Sequence, residues 1–260
     1  MIFAAGLGTR LKPITDTLPK ALVPVCGKAL IEHVSRRLQS FGINEAVVNV
    51  HHFADKIETW VGEQDWICIR EEDMSEGKML FRISDERKRL LETGGAVLHA
   101  RRYLDGCGHF LIHNVDIFSN CDLSWFRRQV RPEALATLLV SERETSRFLL
   151  FHPENERLVG WHNVGTGDHV LTDPSLKLED CKAYGFSGIH ILSDRVFDLM
   201  ARYVEERGIQ DEDGAKFSIM NFYMWAAGKE AIYGVKAENL DFLDVGKLDA
   251  LEPAERFLER

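Results

Sequence analysis

Three basic residues, Arg10, Lys12 and Lys20, follow a tight glycine turn in the opening run AAGLGTRLKPITDTLPKALVPVCGKALIEH, residues 4–33. Gly6 and Gly8 let the backbone turn sharply and lie against a ligand where a Cβ would obstruct it. Successive N–H groups in such a turn form a concavity for an anion. Arg10 can fork two hydrogen bonds to phosphate oxygens, and Lys20, fixed between Pro19 and Pro24, adds a compact point charge. A hydrophobic core requires none of this, whereas a strongly anionic ligand does. Two familiar phosphate motifs are absent: GxGxxG would need a glycine where Leu11 stands, and no GxxxxGK[ST] occurs.

Two acids complement the cations. Asp116 closes the apolar run HFLIHNVD, and Asp244 sits in DFLDVG after another apolar run. Acids at strand ends of an α/β sheet lie on the edge where ligands bind. Mg²⁺ between phosphates is commonly held by one or two carboxylates plus substrate oxygens. A DxD pair, frequent in metal-dependent glycosyltransferases, is broken by Phe118. Further along, Gly94-Gly95 opens the helical pattern TGGAVLHARRYL. It reads either as a turn that starts a helix or as backbone approaching a flat base, and the two are compatible.

The run from Ala5 to Lys28 resembles the signature of the sugar-1-phosphate nucleotidylyltransferases: Gly-x-Gly-Thr-Arg-Leu, a spacer, then Pro-Lys-x-Leu-x-Pro-Val-x-Gly-Lys, with Ala29 where that family usually has proline. The resemblance implies that Ala5, Gly6, Gly8, Thr9 and Arg10 hold a nucleoside triphosphate, that Lys20 bridges the reacting phosphates, and that Lys28 stays structural or exposed. It implies that Asp116 and Asp244 carry Mg²⁺, with Arg10, Lys20 and Asp116 as the catalytic set. Gly94 and Gly95 then face the base, and Glu92-Thr93-Gly94-Gly95 is similar to the form in family members acting as N-acetylmuramate 1-phosphate uridylyltransferases, so UTP is the leading donor. Asn114, in Asn114-Val115-Asp116 where the family often has Asn-Gly-Asp, is a sugar candidate. So are Ser187 and Gly188 in GFSGIHIL and Asn163 in GWHN, whose Trp161 reads rather as packing. The implied partners are an NTP and a sugar 1-phosphate. Guanylyl transfer to mannose or heptose 1-phosphate, cytidylyl transfer to phosphocholine, and a non-catalytic nucleotide-binding regulatory domain stay open as alternatives.

The elements that must position these residues alternate. MIFAA, EAVVNV, WICIR, MLFRIS and HFLIHNVD read as strands. KALIEHVSRRLQSFG carries Leu30, Ile31, Val34 and Leu38 at helical spacing, and ADKIETWVG sets Ile57, Trp60 and Val61 on one face. This rhythm predicts an α/β, Rossmann-like fold: a mostly parallel sheet with helices on both faces. In the second half, ALATLLVSE and RFLLFH read as paired strands and NERLVGWHNVGTGDHV as a hairpin, giving a small antiparallel extension. The chain is expected to form one nucleotidyltransferase domain, 1–260, with a nucleotide-binding half at 1–133 and a sugar-binding half at 134–260. His51 and His52 are adjacent and face opposite ways on a strand, a poor metal pair. DERKRLLE reads as a charged surface segment and FSIMNFYMWAA as a buried or interface helix.

The bulk numbers agree with a globular enzyme. The 260 residues are 45% apolar and 28% charged, ordinary for a globular protein. A formal charge of -9 argues against a nucleic-acid partner. Five cysteines without CxxC spacing point to free thiols and a reducing compartment. With no membrane-length apolar run and no signal-peptide pattern, a cytoplasmic protein without a membrane partner is expected. The brevity of MIFAA leaves open whether residues precede it, and the oligomeric state is equally open.

Overall fold

The computed structural model describes residues 1–259. In chain order the strands and helices are β1 (Ile2–Phe3), β2 (Pro24–Val25), β3 (Lys28–Ala29), α1 (Leu30–Ser40), β4 (Glu45–Val50), α2 (Ala54–Gly62), β5 (Ile67–Cys68), β6 (Met79–Asp85), α3 (Glu92–His99), α4 (Arg101–Leu104), β7 (His109–Asn114) and β8 (Ile117–Ser119). There follow α5 (Leu123–Arg128), β9 (Ala136–Ser141), β10 (Arg147–Phe151), β11 (Leu158–Asn163), β12 (His169–Leu171), β13 (Lys182–Ser193), α6 (Val196–Arg207), α7 (Ile219–Ala227), β14 (Ile232–Lys236), β15 (Phe242–Asp244) and α8 (Leu251–Leu258). The expected α/β class, with parallel core strands and helices between them, is what the chain forms.

Two compact units interleave along the chain. The first comprises Met1–Leu91, His113–Asn120 and Asp241–Arg260, the second Glu92–Ile112 and Cys121–Leu240. The sequence alone suggests a single division at residue 133. Chain order shows how far each segment runs but not which later segment returns to an earlier one.

In the first unit β5, β6, β4 and β1 are parallel neighbours, and the last two residues of β7 lie parallel to β1, Ile2 against His113 and Phe3 against Asn114. In β4 every residue after Glu45 is buried, the continuous apolar run of a strand covered on both faces. Leu30, Ile31, Val34 and Leu38 are buried along α1, as their spacing predicts, while in α2 Ile57 and Val61 are buried and Trp60 only partly so. Two antiparallel pairs complete the unit: β2 with β3, and β8 with β15, where Ile117 faces Asp244.

The second unit is largely antiparallel. β12, β11, β10 and β13 are successive antiparallel neighbours, β13 also pairs antiparallel with β9, and β14 adds parallel to β9. The hairpin expected at 155–170 is β11–β12, spanning 158–171. The direct pairing expected between β9 and β10 does not form, because the long β13 takes both: its residues 182–184 pair with β10 and its later ones with β9. Such a pairing is set by sequence about 40 residues downstream, which local alternation does not report. The helix FSIMNFYMWAA is α7, with Ile219, Phe222, Tyr223, Ala226 and Ala227 buried. Among the described residues, no helix is long and apolar enough to cross a membrane.

Candidate active site

The basic loop is held from below and presented outward. Ala5 and Leu11 are buried, while Gly6, Leu7, Thr9 and Arg10 between them are exposed. Gly8 takes φ 64°, a left-handed conformation, and its carbonyl accepts hydrogen bonds from the Leu11 amide at 2.8 Å and the Thr15 hydroxyl at 2.7 Å. A Cβ there would lie 2.8 Å from Thr15 Cγ2 and 3.1 Å from Lys20 Cβ, so the turn needs glycine both for its angle and for its room. Pro19, extended, leads into a short 3-10 turn at Lys20–Leu22 whose Ala21 is fully buried, and that anchor fixes where the Lys20 side chain starts. Lys28 is exposed, 3.9 Å from Glu32.

The acids arrive from the end of the sheet. β7 stops at Asn114, so Asp116 lies two residues beyond the strand rather than closing it. The Val115 amide donates to the Phe3 carbonyl, and the Asp116 carbonyl accepts the Val245 amide at 2.8 Å. Together with the β8–β15 pairing, this last bond brings residue 244 to residue 116 although most of the second unit lies between them in sequence. The site therefore assembles inside the first unit, from segments 10, 20, 116 and 244.

Four charged groups meet there. Lys20 Nζ hydrogen-bonds Asp116 Oδ2. Arg10 reaches Asp244 Oδ2 at 3.2 Å and Asp116 Oδ2 at 3.9 Å. The two pairs differ in shelter: the Lys20 and Asp116 side chains are 15% and 8% exposed, those of Arg10 and Asp244 50% and 35%. Water screens the outer pair, so Arg10 can leave Asp244 for a phosphate at little cost, whereas Lys20 and Asp116 form a fixed core. Burial pushes the Asp244 carboxyl up, but the Gly246 amide, the Arg10 guanidinium and the Lys20 ammonium outweigh it and hold it below the usual carboxylate value.

Gly246, which the sequence marks only as following Asp244 in a turn-like run, closes the cluster. Its amide donates to Asp244 Oδ1 at 2.9 Å. A Cβ at this residue would lie 2.6 Å from Asp116 Oδ2, 2.7 Å from Arg10 Nη2 and 2.8 Å from Asp244 Oδ1. The space any side chain would fill is the space in which Asp116, Arg10 and Asp244 converge. DVG in the sequence signals a turn, but the neighbours that make its glycine obligatory include two from distant segments.

The donor set also suits a hard cation. Among the described residues no cluster of three or more His, Cys, Asp or Glu could hold a metal. Asp116 and Asp244 supply two carboxylates, as many as Mg²⁺ takes when water and phosphate oxygens complete its shell, with Lys20 and Arg10 each occupying an oxygen of one of them.

The remaining candidates are distributed differently. Asn114, in the first unit, pairs with Phe3, and its carbonyl is bonded to His113 Nδ1 at 2.7 Å. Gly94, Gly95, Asn163, Ser187 and Gly188 all belong to the second unit. The amides of Gly94 and Gly95 both donate to the Phe217 carbonyl, at 2.9 and 3.1 Å, and a Cβ on Gly94 would fall into the Phe217 ring. Of the two readings of this pair, the structure displays the helix start and close packing. The Ser187 hydroxyl donates to the Leu139 carbonyl at 2.7 Å and accepts the Ile189 amide at 3.2 Å, and Gly188 has φ 77°. The two residues form a bulge in β13, where the register against β9 shifts between Phe186 and His190. Asn163 Oδ1 accepts the Gly165 amide and shapes the β11–β12 turn.

Comparison with known proteins identifies the family. The pattern that defines the nucleotidyl transferase family matches residues 1–260. The chain is 32% identical over 260 residues to N-acetylmuramate alpha-1-phosphate uridylyltransferase of Caulobacter vibrioides, covering 98% of this chain and 94% of that protein. It is 30% identical over 200 residues to the protein of the same name from Neisseria meningitidis serogroup B, covering 76% of each. The solved structure of apo UDP-glucose pyrophosphorylase shares the fold, with a TM-score of 0.70 at 16% identity over 99% of this chain and 97% of that one. The chain belongs to the nucleotidyl transferase family and is a sugar-1-phosphate nucleotidylyltransferase.

Proposed function

We propose that the enzyme transfers a uridylyl group from UTP to N-acetylmuramate 1-phosphate with Mg²⁺. The observation that carries the chemistry is the cluster of Arg10, Lys20, Asp116 and Asp244, three of which, Arg10, Asp116 and Asp244, close around the missing side chain of Gly246. The choice of base and sugar rests on the form Glu92-Thr93-Gly94-Gly95 and on near full-length similarity to a uridylyltransferase of that name.

An oxygen of the sugar phosphate attacks the α-phosphorus of UTP. The bond from that phosphorus to the bridging α–β oxygen breaks, and pyrophosphate leaves carrying the electron pair. The attacking phosphate is already ionised, so no proton moves, and rate acceleration comes from positioning and charge neutralisation. Lys20, held by Asp116, lies between the two anions and offsets their repulsion. Arg10, turning from Asp244, and the amides of residues 6–10 stabilise the charge on the leaving pyrophosphate. Asp116 and Asp244 would hold Mg²⁺, which supplies further neutralisation of the phosphate oxygens when bound. Gly94, Gly95, Asn114, Asn163, Ser187 and Gly188 remain candidates around base and sugar, and the Ser187 hydroxyl would first have to give up its bonds to Leu139 and Ile189.

The test is pyrophosphate release, with and without Mg²⁺, from the four NTPs against N-acetylmuramate, glucose and mannose 1-phosphates and phosphocholine. UTP with N-acetylmuramate 1-phosphate is expected to give the highest kcat/KM, and only with the metal. A preference for GTP with mannose 1-phosphate, or for CTP with phosphocholine, overturns the assignment of base and acceptor.

A further inference from the structure

The segment DERKRLLE reads as a solvated charged surface, yet Glu86 within it is only 3% exposed. Its carboxylate is built into a relay inside the first unit. The Ala4 amide, at the mouth of the phosphate loop, donates to Asn49 Oδ1 at 2.8 Å. Asn49 Nδ2 donates to Glu86 Oε1 at 2.8 Å, and the Leu91 amide donates to Glu86 Oε2 at 3.1 Å. Asn49 is itself buried, and the Glu86 backbone is pinned at both ends, its amide donating to the Val50 carbonyl and its carbonyl bonded to His51 Nδ1. A carboxylate carries a buried desolvation cost that a leucine would avoid. Here it supplies two acceptors at once, which an uncharged side chain of that shape cannot do.

We propose that Asn49 and Glu86 are positioning residues for nucleotide binding. They fix the start of the loop at residues 5–10 by holding Ala4 to Leu91, the residue before the Glu92-Thr93-Gly94-Gly95 run. Neither residue belongs to the Lys20–Asp116 cluster, so their effect falls mainly on how well the nucleotide is held, and less on the transfer step, where the loop amides also face the leaving pyrophosphate. The inference rests on an NTP being the ligand of the loop.

The donor and acceptor pattern gives a direct test. In Asn49→Asp two carboxylate oxygens face each other. In Glu86→Gln either orientation of the new amide sets an N–H against a donor, Asn49 Nδ2 or the Leu91 amide. In the double variant each of these bonds is remade with the donor and acceptor between the two side chains reversed. The carboxylate introduced at position 49 accepts from Ala4 and from the amide introduced at position 86, whose oxygen accepts from Leu91. Steady-state kinetics of the full-length protein with UTP, on variants checked by circular dichroism, should show the KM for UTP raised about tenfold in each single variant. kcat should fall by less than the KM for UTP rises, the KM for the sugar phosphate should stay near wild type, and the double variant should return to within about threefold of the wild-type KM. Unchanged KM in folded single variants, an equal loss in every parameter, or a double variant no better than the singles would overturn the proposal. Wild-type turnover with the four NTPs serves as control. If GTP or CTP is the substrate, the uridylyl assignment fails separately, and the same comparison is made with that nucleotide.

Discussion

Glycines do opposite work in the two units. At Gly246 and Gly8, in the first unit, the absent Cβ leaves room for the site: Asp116, Asp244 and Arg10 around the one, Thr15 and Lys20 around the other. At Gly94 and Gly188, in the second unit, it serves the protein's own packing, admitting the Phe217 ring in one case and shaping a bulge in β13 in the other. In the sequence all four look alike, small residues in turn-like runs that could bring backbone to a ligand. What separates Gly246 from Gly94 is whether the space is lined by charged side chains or by an aromatic ring and a main-chain carbonyl. Substitutions should therefore separate activity from stability.

The largest effect is expected at the sheltered cation. Lys20→Ala should lower kcat by about a thousandfold in a protein that still folds, since it removes a preorganised charge from the transferring phosphates. Melting temperature and pyrophosphate release, measured side by side, check this. Gly246→Ala should come next, with turnover reduced about a hundredfold, because its methyl occupies the point where three charged side chains converge. A fully active, folded Gly246→Ala would erase the contrast between the units. Gly94→Ala should show the reverse pattern: about 2 kcal/mol of lost stability from overpacking against Phe217, read by urea titration, with turnover per folded molecule changed far less. Loss of activity without loss of stability would move Gly94 to the functional side.

How much of this could be read from the sequence depends on distance along the chain. The glycine turn with its cations is legible because its glycines, prolines and basic residues are neighbours, and the parallel strands are legible because burial on both faces writes a continuous apolar run. Asp116 and Asp244 could be singled out by their strand-end setting, but the bond from the Val245 amide to the Asp116 carbonyl that joins them is long-range. The same reason hid the obligatory character of Gly246, the split pairing of β13 and the burial of Glu86 in a run of charges. Ser187 and Gly188 are candidates only through the family resemblance of GFSGIHIL, and the hydroxyl's bonds to Leu139 and Ile189 show how a bulge takes up such groups.

A pH dependence separates the site from its support. His113, at the end of β7, is pushed down to about 4 by burial, opposed by its bond to the Asn114 carbonyl and aided by the charge of Arg37. The unfolded chain titrates this group near its ordinary value of about 6.5, so between the two values it binds a proton that the folded chain does not. The stability present above that ordinary value is lost as pH falls through it toward the folded one, by about 3 kcal/mol. Asp244, held below the usual carboxylate value, stays charged through most of that window. Melting curves should fall with pH while activity per folded molecule holds, and His113→Asn should flatten the fall in stability.

The proposed chemistry depends most directly on Asp116, which holds Lys20 and would offer a carboxylate to Mg²⁺. The decisive measurement is pyrophosphate release by Asp116→Ala at saturating substrates, beside its melting temperature. A folded variant with turnover reduced about a thousandfold is the expected result. Near-normal turnover from that folded variant would contradict the assignment of the chemistry to this cluster.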